Sequence, residues 1–221
     1  VDALTGALDL AKPALIEGIN TYDGTPDKPA DALGAVVLAW NGGQGLLVWE
    51  GRNGKGATKP HVLHAQMVDL ELAALTPPFA VSDDTCAGAC RPQVFGLSSG
   101  RFLVTWTSPQ NGVRARRFKA QFVAGALDPA EADPVALAPT GKDGDIAVHG
   151  TAMLVSYYDP DQGPVWRPFE DKPSGNIGAK GPAQSYGFNS PTAPAVSTTA
   201  LSLNAVPPLT FVAEWLDLTP S

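Results

Sequence analysis

Gly100-Arg101-Phe102-Leu103-Val104-Thr105-Trp106-Thr107-Ser108, followed after a short loop by Val113-Arg114-Ala115-Arg116-Arg117-Phe118, is the stretch of sequence that decides the fold. Both segments are rich in β-branched and aromatic residues, and the loop between them is polar and contains glycine. Short apolar segments bounded by such residues are typical of β-strands. The stretch therefore predicts two consecutive strands, the first of which ends near a tryptophan.

The first of these strands recurs along the chain, each time ending in an aromatic residue. The copies are Leu46–Trp49, Phe102–Trp106, Met153–Tyr157 and Phe211–Trp215. Their terminal aromatic residues are separated by 57, 51 and 58 residues. Another short strand precedes each copy, and in three cases a further strand follows it. A repeat of this length with three or four strands has the size of one β-propeller blade, a twisted sheet that buries both faces only against its neighbours.

Helical periodicity is almost absent from the rest of the chain, and the remaining apolar segments are short and bounded by Gly, Pro, Asn or Asp. The 23 glycines and 21 prolines are consistent with a fold that has many turns. The predicted strands are Ala35–Trp40, Leu46–Glu50, His61–Val68, Gln93–Leu97, Phe102–Thr107, Val113–Phe122, Ile146–His149, Met153–Tyr158, Ala195–Leu203 and Thr210–Trp215.

The repeats predict an all-β chain that forms one domain over residues 1–221, a small β-propeller of about four blades. The approximate repeats are 29–91, 92–142, 143–193 and 194–221. The fourth has only its first half, and we expect residues 1–28 to complete it, because Thr5–Pro13 resembles Ala124–Pro129 after the third strand of the second repeat. Such closure protects an otherwise free sheet edge. The alternative is a β-sandwich in which the similarity between strands is coincidental.

The stretch 100–118 resembles a repeat of β-propeller domains on secreted and cell-surface bacterial proteins and lipoproteins. That repeat reads G-G-F-V-V-x-W, a Gly/Asp loop, then V-x-A-x-R-F. The resemblance is good over residues 92–137 and weaker elsewhere, and Trp166 and Pro168 interrupt the pattern in the third repeat. It implies adhesion or scaffolding and transfers no catalytic residue.

Two cysteines, Cys86 and Cys90, stand four residues apart. We expect a short loop-closing disulfide; two free thiols and a metal or redox role are the alternatives. A disulfide implies an oxidising compartment, so we expect a bacterial protein that is secreted, periplasmic or on the cell surface. The chain begins with Val1, so we expect that an upstream segment was removed or that the chain is a fragment.

The charge of the chain argues against nucleic acid as a partner. The net charge is −7, and the longest basic cluster is formed by Arg114, Arg116, Arg117 and Lys119. A nucleic-acid binder needs a positive footprint to release counterions from the phosphates. No apolar run approaches the roughly 18 to 20 residues of a membrane span, so we expect no transmembrane segment.

Acidic turns are the candidate metal sites, because carboxylates and free carbonyl groups suit Ca²⁺. If one of them binds calcium, Asp143 and Asp145 are the chosen ligands, and solvated turn residues are the alternative interpretation. We expect no cofactor beyond such a structural calcium ion.

No catalytic constellation is apparent in the sequence. His61 and His64 lie three apart on one predicted strand, which places their side chains on opposite faces. Propeller glycosidases gather carboxylates around the central channel, but Glu50, Glu214 and Asp145 do not occupy equivalent positions in the repeats. We therefore predict that the protein is not an enzyme and has no catalytic residues.

The favoured function is a non-catalytic extracytoplasmic binding or structural module that contacts other extracytoplasmic proteins or glycans, as an accessory subunit of a larger assembly or alone. Trp40, Trp166 and Tyr186 are candidate binding residues, since exposed aromatic rings stack on sugars or anchor a partner. Core packing between blades is the other interpretation of these rings. The alternative function is a glycoside-processing propeller enzyme that uses channel carboxylates.

Overall fold

The computed structural model describes residues 36–52, 60–82, 84–86, 90–119, 133–172 and 176–186. Over these residues the chain is all-β, without a helix, and forms three antiparallel sheets in sequence order. The all-β prediction is thus confirmed for the described part of the chain. Neighbouring strands in each sheet are consecutive along the chain, except for one two-residue strand of the third sheet, so that each sheet is essentially a meander.

The three sheets have the following strands. The first sheet contains β1 (Val37–Asn41), β2 (Gln44–Arg52), β3 (His61–Asp69) and β4 (Phe79–Ala80). The second contains β5 (Gln93–Gly96), β6 (Arg101–Ser108), β7 (Gly112–Lys119) and β8 (Val135–Ala138). The third contains β9 (Lys142–His149), β10 (Ala152–Asp159), β11 (Gly163–Glu170) and β12 (Gly178–Ala179), and β13 (Gln184–Ser185) also pairs with β11.

Eight of the ten predicted strands correspond to strands of the structure, with ends that differ by a few residues. The predicted strands Ala195–Leu203 and Thr210–Trp215 lie outside the described residues, as does the segment 1–28. The sequence reading missed the short outer strands β4, β8, β12 and β13. Strands of two to four residues are too short to show an alternating pattern.

Trp166 and Pro168, which depart from the sequence pattern of the repeat, lie within the continuous strand β11. The carbonyl groups of Pro164 and Pro168 accept hydrogen bonds from Tyr186 and Lys180, on the outer side of the strand. In an antiparallel ladder, the amide and the carbonyl of one residue point to the same neighbouring strand. The missing proline N–H groups therefore cost no bond to β10, which explains why both prolines are tolerated.

The middle strand of the second sheet buries both of its faces. Phe102, Val104 and Trp106 point to the first sheet, and the alternate residue Leu103 points to the third. We call the contact between the first and second sheets the first junction and that between the second and third sheets the second junction. The first junction buries Leu46, Val48, Leu63, Ala65, Met67, Val81, Cys86, Cys90, Phe102, Val104, Trp106 and Phe118. The second junction buries Leu97, Leu103, Val113, Ala115, Leu137, Ala138, Ile146, Met153, Val155, Tyr157, Val165, Phe169 and Ile177.

The repeated aromatic residue is buried in each of the three described sheets. Trp106 lies in the first junction and Tyr157 in the second, each on the face that its sheet turns to the preceding sheet. Trp49 is also fully buried, but it lies on the face of the first sheet that points away from the second. The three sheets therefore repeat one another in packing as well as in strand order.

The turns that precede the middle strands meet at one end of the sheets. The amide Nδ2 of Asn41 donates hydrogen bonds of 2.8 Å to the carbonyl oxygens of Leu97 and Arg101, which flank the β5–β6 turn. A Cβ on Gly150, in the β9–β10 turn, would stand 3.9 Å from the hydroxyl of Ser98. The turns that follow β6 and β10 lie at the opposite ends of these strands.

Candidate functional site

The segment that crosses from the first sheet to the second carries the Cys86–Cys90 disulfide, and the predicted bridge is confirmed. Both cysteines are fully buried in the first junction. The amide of Cys86 donates to the carbonyl of His61 on β3, and the carbonyl of Cys90 accepts from the amide of Thr107 on β6. The bridge thus joins two residues that are bonded to different sheets, and free thiols are excluded as an interpretation.

Asp84 in the same crossing segment binds the end of the second sheet. Its carboxylate accepts hydrogen bonds from the indole Nε1 of Trp106 at 3.0 Å and from the amide Nδ2 of Asn111 at 2.6 Å. Its own backbone amide donates to the hydroxyl of Ser82. This carboxylate fixes the repeated tryptophan and the neighbouring turn, and so has a structural function.

The second junction contains a buried ion pair between Arg117 of β7 and Asp171, which follows β11. Their Nη1 and Oδ1 atoms are 2.7 Å apart, and the side chains are only 8% and 1% exposed. Ser99 donates a further hydrogen bond to Oδ2 of Asp171, and Arg117 also donates to the carbonyl of Lys172. Because buried charges are costly unless they are paired and hydrogen-bonded, this network fixes the relative position of the two sheets.

The proposed calcium ligands also contact the second sheet. Asp143 pairs with Arg91 at 3.0 Å, and Asp145 accepts hydrogen bonds from the side chain of Gln93 and from the amide of Ile146. The residues in the described ranges contain no group of three or more His, Cys, Asp or Glu side chains suited to a metal ion. Calcium binding by Asp143 and Asp145 stays a prediction.

Trp40 lies on the face of the first sheet that points away from the second. It is 41% exposed, and Val36 and Leu38 beside it are each 39% exposed. These three alternate residues form an apolar surface that we call the β1 stripe. A Cβ added at Gly45 would meet Trp40 and Leu38 within about 3 Å, so both side chains lie close over the backbone of β2.

Trp166 and Tyr186 lie together on the outward face of the third sheet. Trp166 of β11 stands directly opposite Ser156 of β10, and the Ser156 hydroxyl is 3.1 Å from that of Tyr186. Burial raises the pKa of the Tyr186 hydroxyl, and its bond to Ser156 opposes that shift. The structure thus brings two of the three candidate binding residues to one face and places Trp40 on another sheet.

The two histidines of β3 occupy different surroundings. His64 is buried and stacks on Trp49, with ring centroids 6.0 Å apart. His61 lies at the start of the strand, with its Nδ1 atom 3.4 Å from a carboxylate oxygen of Glu50. His64 therefore extends the buried aromatic surface around Trp49, and Glu50 is paired with His61.

An exposed polar surface is formed by the hairpin turns that follow β6 and β10. We call it the turn face and define it as residues 109–111 and 160–162, all of which are exposed. The backbone amide of Asn111 donates to the hydroxyl of Ser108, and the carboxylate of Asp159 accepts from the backbone amides of Asp161 and Gln162. These local bonds hold the turns in defined conformations and leave amide and carboxylate side chains at the surface. Such groups are suited to bind hydroxyl-rich or polar ligands.

Sequence reasoning missed the cross-sheet functions of Asp84, Arg117 and Asp171. Arg117 and Asp171 are 54 residues apart, and no spacing rule relates them. The only signal was the position of Arg117 on a strand whose preceding alternate residues, Val113 and Ala115, are apolar.

No model of a known protein family matches the chain, and no curated protein shows significant sequence similarity to it. Within the part of the chain that the structure describes, no helix has the length and hydropathy of a membrane span.

Proposed function

We propose that the protein is a non-catalytic extracytoplasmic binding or structural module, built as a small β-propeller, that contacts proteins or glycans through its turn face. The observation that carries the proposal is the stacking of three copies of one antiparallel sheet, with polar side chains that tie neighbouring sheets together. In such a protein the sheets serve as a rigid support, and the loops at the ends supply the contacts.

The propeller part of the proposal is supported by the repeated packing. Trp106 and Tyr157 face the preceding sheet, and Trp49 is buried on the corresponding face of the first sheet. The fourth sheet is proposed from the sequence repeat, with residues 194–221 completed by 1–28. The ring would then have about four sheets.

The turn face is the proposed contact surface because its turns are both exposed and internally bonded. Pre-organised loops lose less conformational entropy when they bind a partner. The bond between Asp84 and Asn111 and the bond of 3.3 Å between Thr140 and Asp159 connect these turns to the segments that join the sheets. A ligand on the turn face would therefore contact a surface that the sheets hold in place.

The disulfide supports an extracytoplasmic location for the module. Disulfides persist in oxidising compartments and are rare in the cytosol. Since Cys86 and Cys90 are fully buried between two sheets, the bridge is part of the fold and not a surface redox pair. Secreted, periplasmic and cell-surface proteins and their glycans are accordingly the proposed partners.

The test is capture of ligands by the immobilised full chain from secreted and envelope fractions, together with a glycan array. Gln162→Arg places a long charged side chain on the turn face, and Ser98→Arg, at the opposite end of the sheets, is the matched control. We expect the first variant to lose the captured ligand and the second to retain it.

Two results would overturn the proposal. One is capture that is equally strong in both variants or abolished only by Ser98→Arg. The other is turnover of chromogenic glycosides by the purified chain, which would establish the glycoside-processing alternative.

A further inference from the structure

The outward face of the first sheet is buried in one part and open in another. Leu47, Trp49 and Val68 are at most 3% exposed, whereas the three side chains of the β1 stripe are 39% to 41% exposed. The stripe is apolar along its whole length. An apolar strand face of this kind is normally covered in a stacked-sheet protein.

The register of the strands shows what the β1 stripe corresponds to in the other two sheets. Leu38 pairs with Leu47, which stands two residues before Trp49. In the second and third sheets, the residue that stands two before the repeated aromatic pairs with Val94 and with Ile146, respectively. Val94 packs against the core of the first junction, and Ile146 is buried in the second. The β1 stripe is therefore a junction surface, equivalent in position to two that are covered by a neighbouring sheet.

We propose that residues 195–203 of the same chain cover the β1 stripe, with Leu201 and Leu203 in contact with Leu38 and Trp40. This inference rests on the proposed propeller and adds the residues at which its ring closes. Leu201 and Leu203 alternate with Ser202, as on a strand with one apolar face. The segment precedes Phe211–Trp215, the fourth copy of the repeated strand, as β1 precedes β2 in the first sheet.

A segment of the same chain fits the β1 stripe better than a separate molecule does. The stripe consists of three side chains, whereas a stable interface between two proteins buries about 800 Å² on each partner. A tethered segment does not lose translational freedom when it binds, so a small apolar contact suffices. The fourth copy of the repeat supplies such a segment.

Hydroxyl-radical footprinting of the full chain, read by mass spectrometry, tests this contact. The measured quantity is the oxidation rate of Trp40, with the 63% exposed Leu70 as the internal reference. In the native chain we expect Trp40 to react slowly. In the Leu201→Asp/Leu203→Asp variant its rate should rise severalfold, because two carboxylates cannot remain against the stripe. Ser202→Asp, on the alternate face, is the matched control and should leave the rate unchanged.

The buried Trp106 reports whether a variant still folds. If Trp106 also becomes reactive, Leu201→Ala/Leu203→Ala replaces the charged variant and should produce a smaller rise at Trp40 alone.

Three results would overturn the inference. The first is labelling of Trp40 at one fast rate in the native chain and in every variant. The second is protection of Trp40 that is lost on dilution, as expected for a second copy of the chain. The third is protection that requires an envelope extract, as expected for a foreign partner. Loss of ligand capture by Gln162→Arg is scored separately, so failure of ring closure and failure of the turn face are distinguishable.

Discussion

The two junctions between the described sheets join the same kind of sheet by different chemistry. The first junction has an apolar core with a buried disulfide, and its polar contacts include those from Trp106 to Asp84 and from Asn41 to the carbonyl groups of Leu97 and Arg101. The second junction has an apolar core as well, but it also contains the buried Arg117–Asp171 pair. The first junction thus contains a disulfide within the crossing segment, whereas an ion pair spans the second.

The difference between the two junctions is seen at equivalent positions of the strand register. Met67 of β3 and Arg117 of β7 each pair with the leucine that stands three residues before the repeated aromatic. Met67 is fully buried in the first core, whereas Arg117 extends to Asp171. The comparison shows that the repeated sheet specifies the backbone arrangement, while single side chains decide how two neighbouring sheets are fastened.

The largest effect is expected when one partner of the buried pair is removed. Asp171→Ala leaves the Arg117 guanidinium buried without its carboxylate, which should lower the free energy of unfolding by about 3–5 kcal/mol. Urea denaturation measures this change. The double variant Arg117→Met/Asp171→Leu replaces the ion pair with apolar side chains like those of the first junction. It should regain most of the lost free energy of unfolding. A single variant as stable as the native chain would show that the pair does not hold the second junction.

Removal of the disulfide is expected to have the next largest effect. Cys86→Ala/Cys90→Ala frees a loop of a few residues and should lower the free energy of unfolding by about 2 kcal/mol, because the unfolded chain gains conformational freedom. Urea denaturation with and without a reducing agent measures the effect, and the double variant should be insensitive to the reductant. Equal stability of the native chain in both conditions would contradict a function of the bridge in the first junction.

Alkaline pH should weaken the second junction in particular. Burial raises the pKa of Tyr157 above its usual value of 10.0. The negative charge of Asp159 raises this pKa further, and the positive charge of Arg167 lowers it. A group with a raised pKa in the folded state contributes stability that is fully present below the unfolded pKa and is lost as pH rises through the folded one. The Tm of the native chain should therefore fall as the pH rises beyond about 10. Tyr157→Phe should flatten this fall relative to the native protein, and identical pH profiles would refute the assignment.

The smallest effect is expected at the exposed end of the second junction. Arg91 and Asp143 are 70% and 39% exposed, so their ion pair is screened by solvent. Arg91→Ala should lower the free energy of unfolding by less than about 1 kcal/mol, and the difference should shrink in concentrated salt. A loss as large as that of Asp171→Ala would mean that burial does not distinguish the two pairs.

The sequence predicted the middle strands well, because their alternation and terminal aromatic residues repeat at regular intervals. The disulfide was also predictable, since two cysteines four residues apart have few other uses. The outer strands were missed because β4, β12 and β13 have only two residues each. The function of Arg117 was missed because its partner is far along the chain. Calcium binding at Asp143 and Asp145 and ligand binding at Trp166 and Tyr186 remain predictions. For Trp40 the proposed contact with residues 195–203 favours core packing over ligand binding.

The brevity of the outer strands has a consequence for how molecules of this protein behave near one another. Strands β4 and β12 offer two residues and β8 offers four to any chain that would extend the sheet. A long, flat edge acts as a template for aggregation, and shortening it is one way in which natural proteins avoid that outcome. At their outer edges the described sheets thus offer little backbone to which another copy of the chain could add a strand.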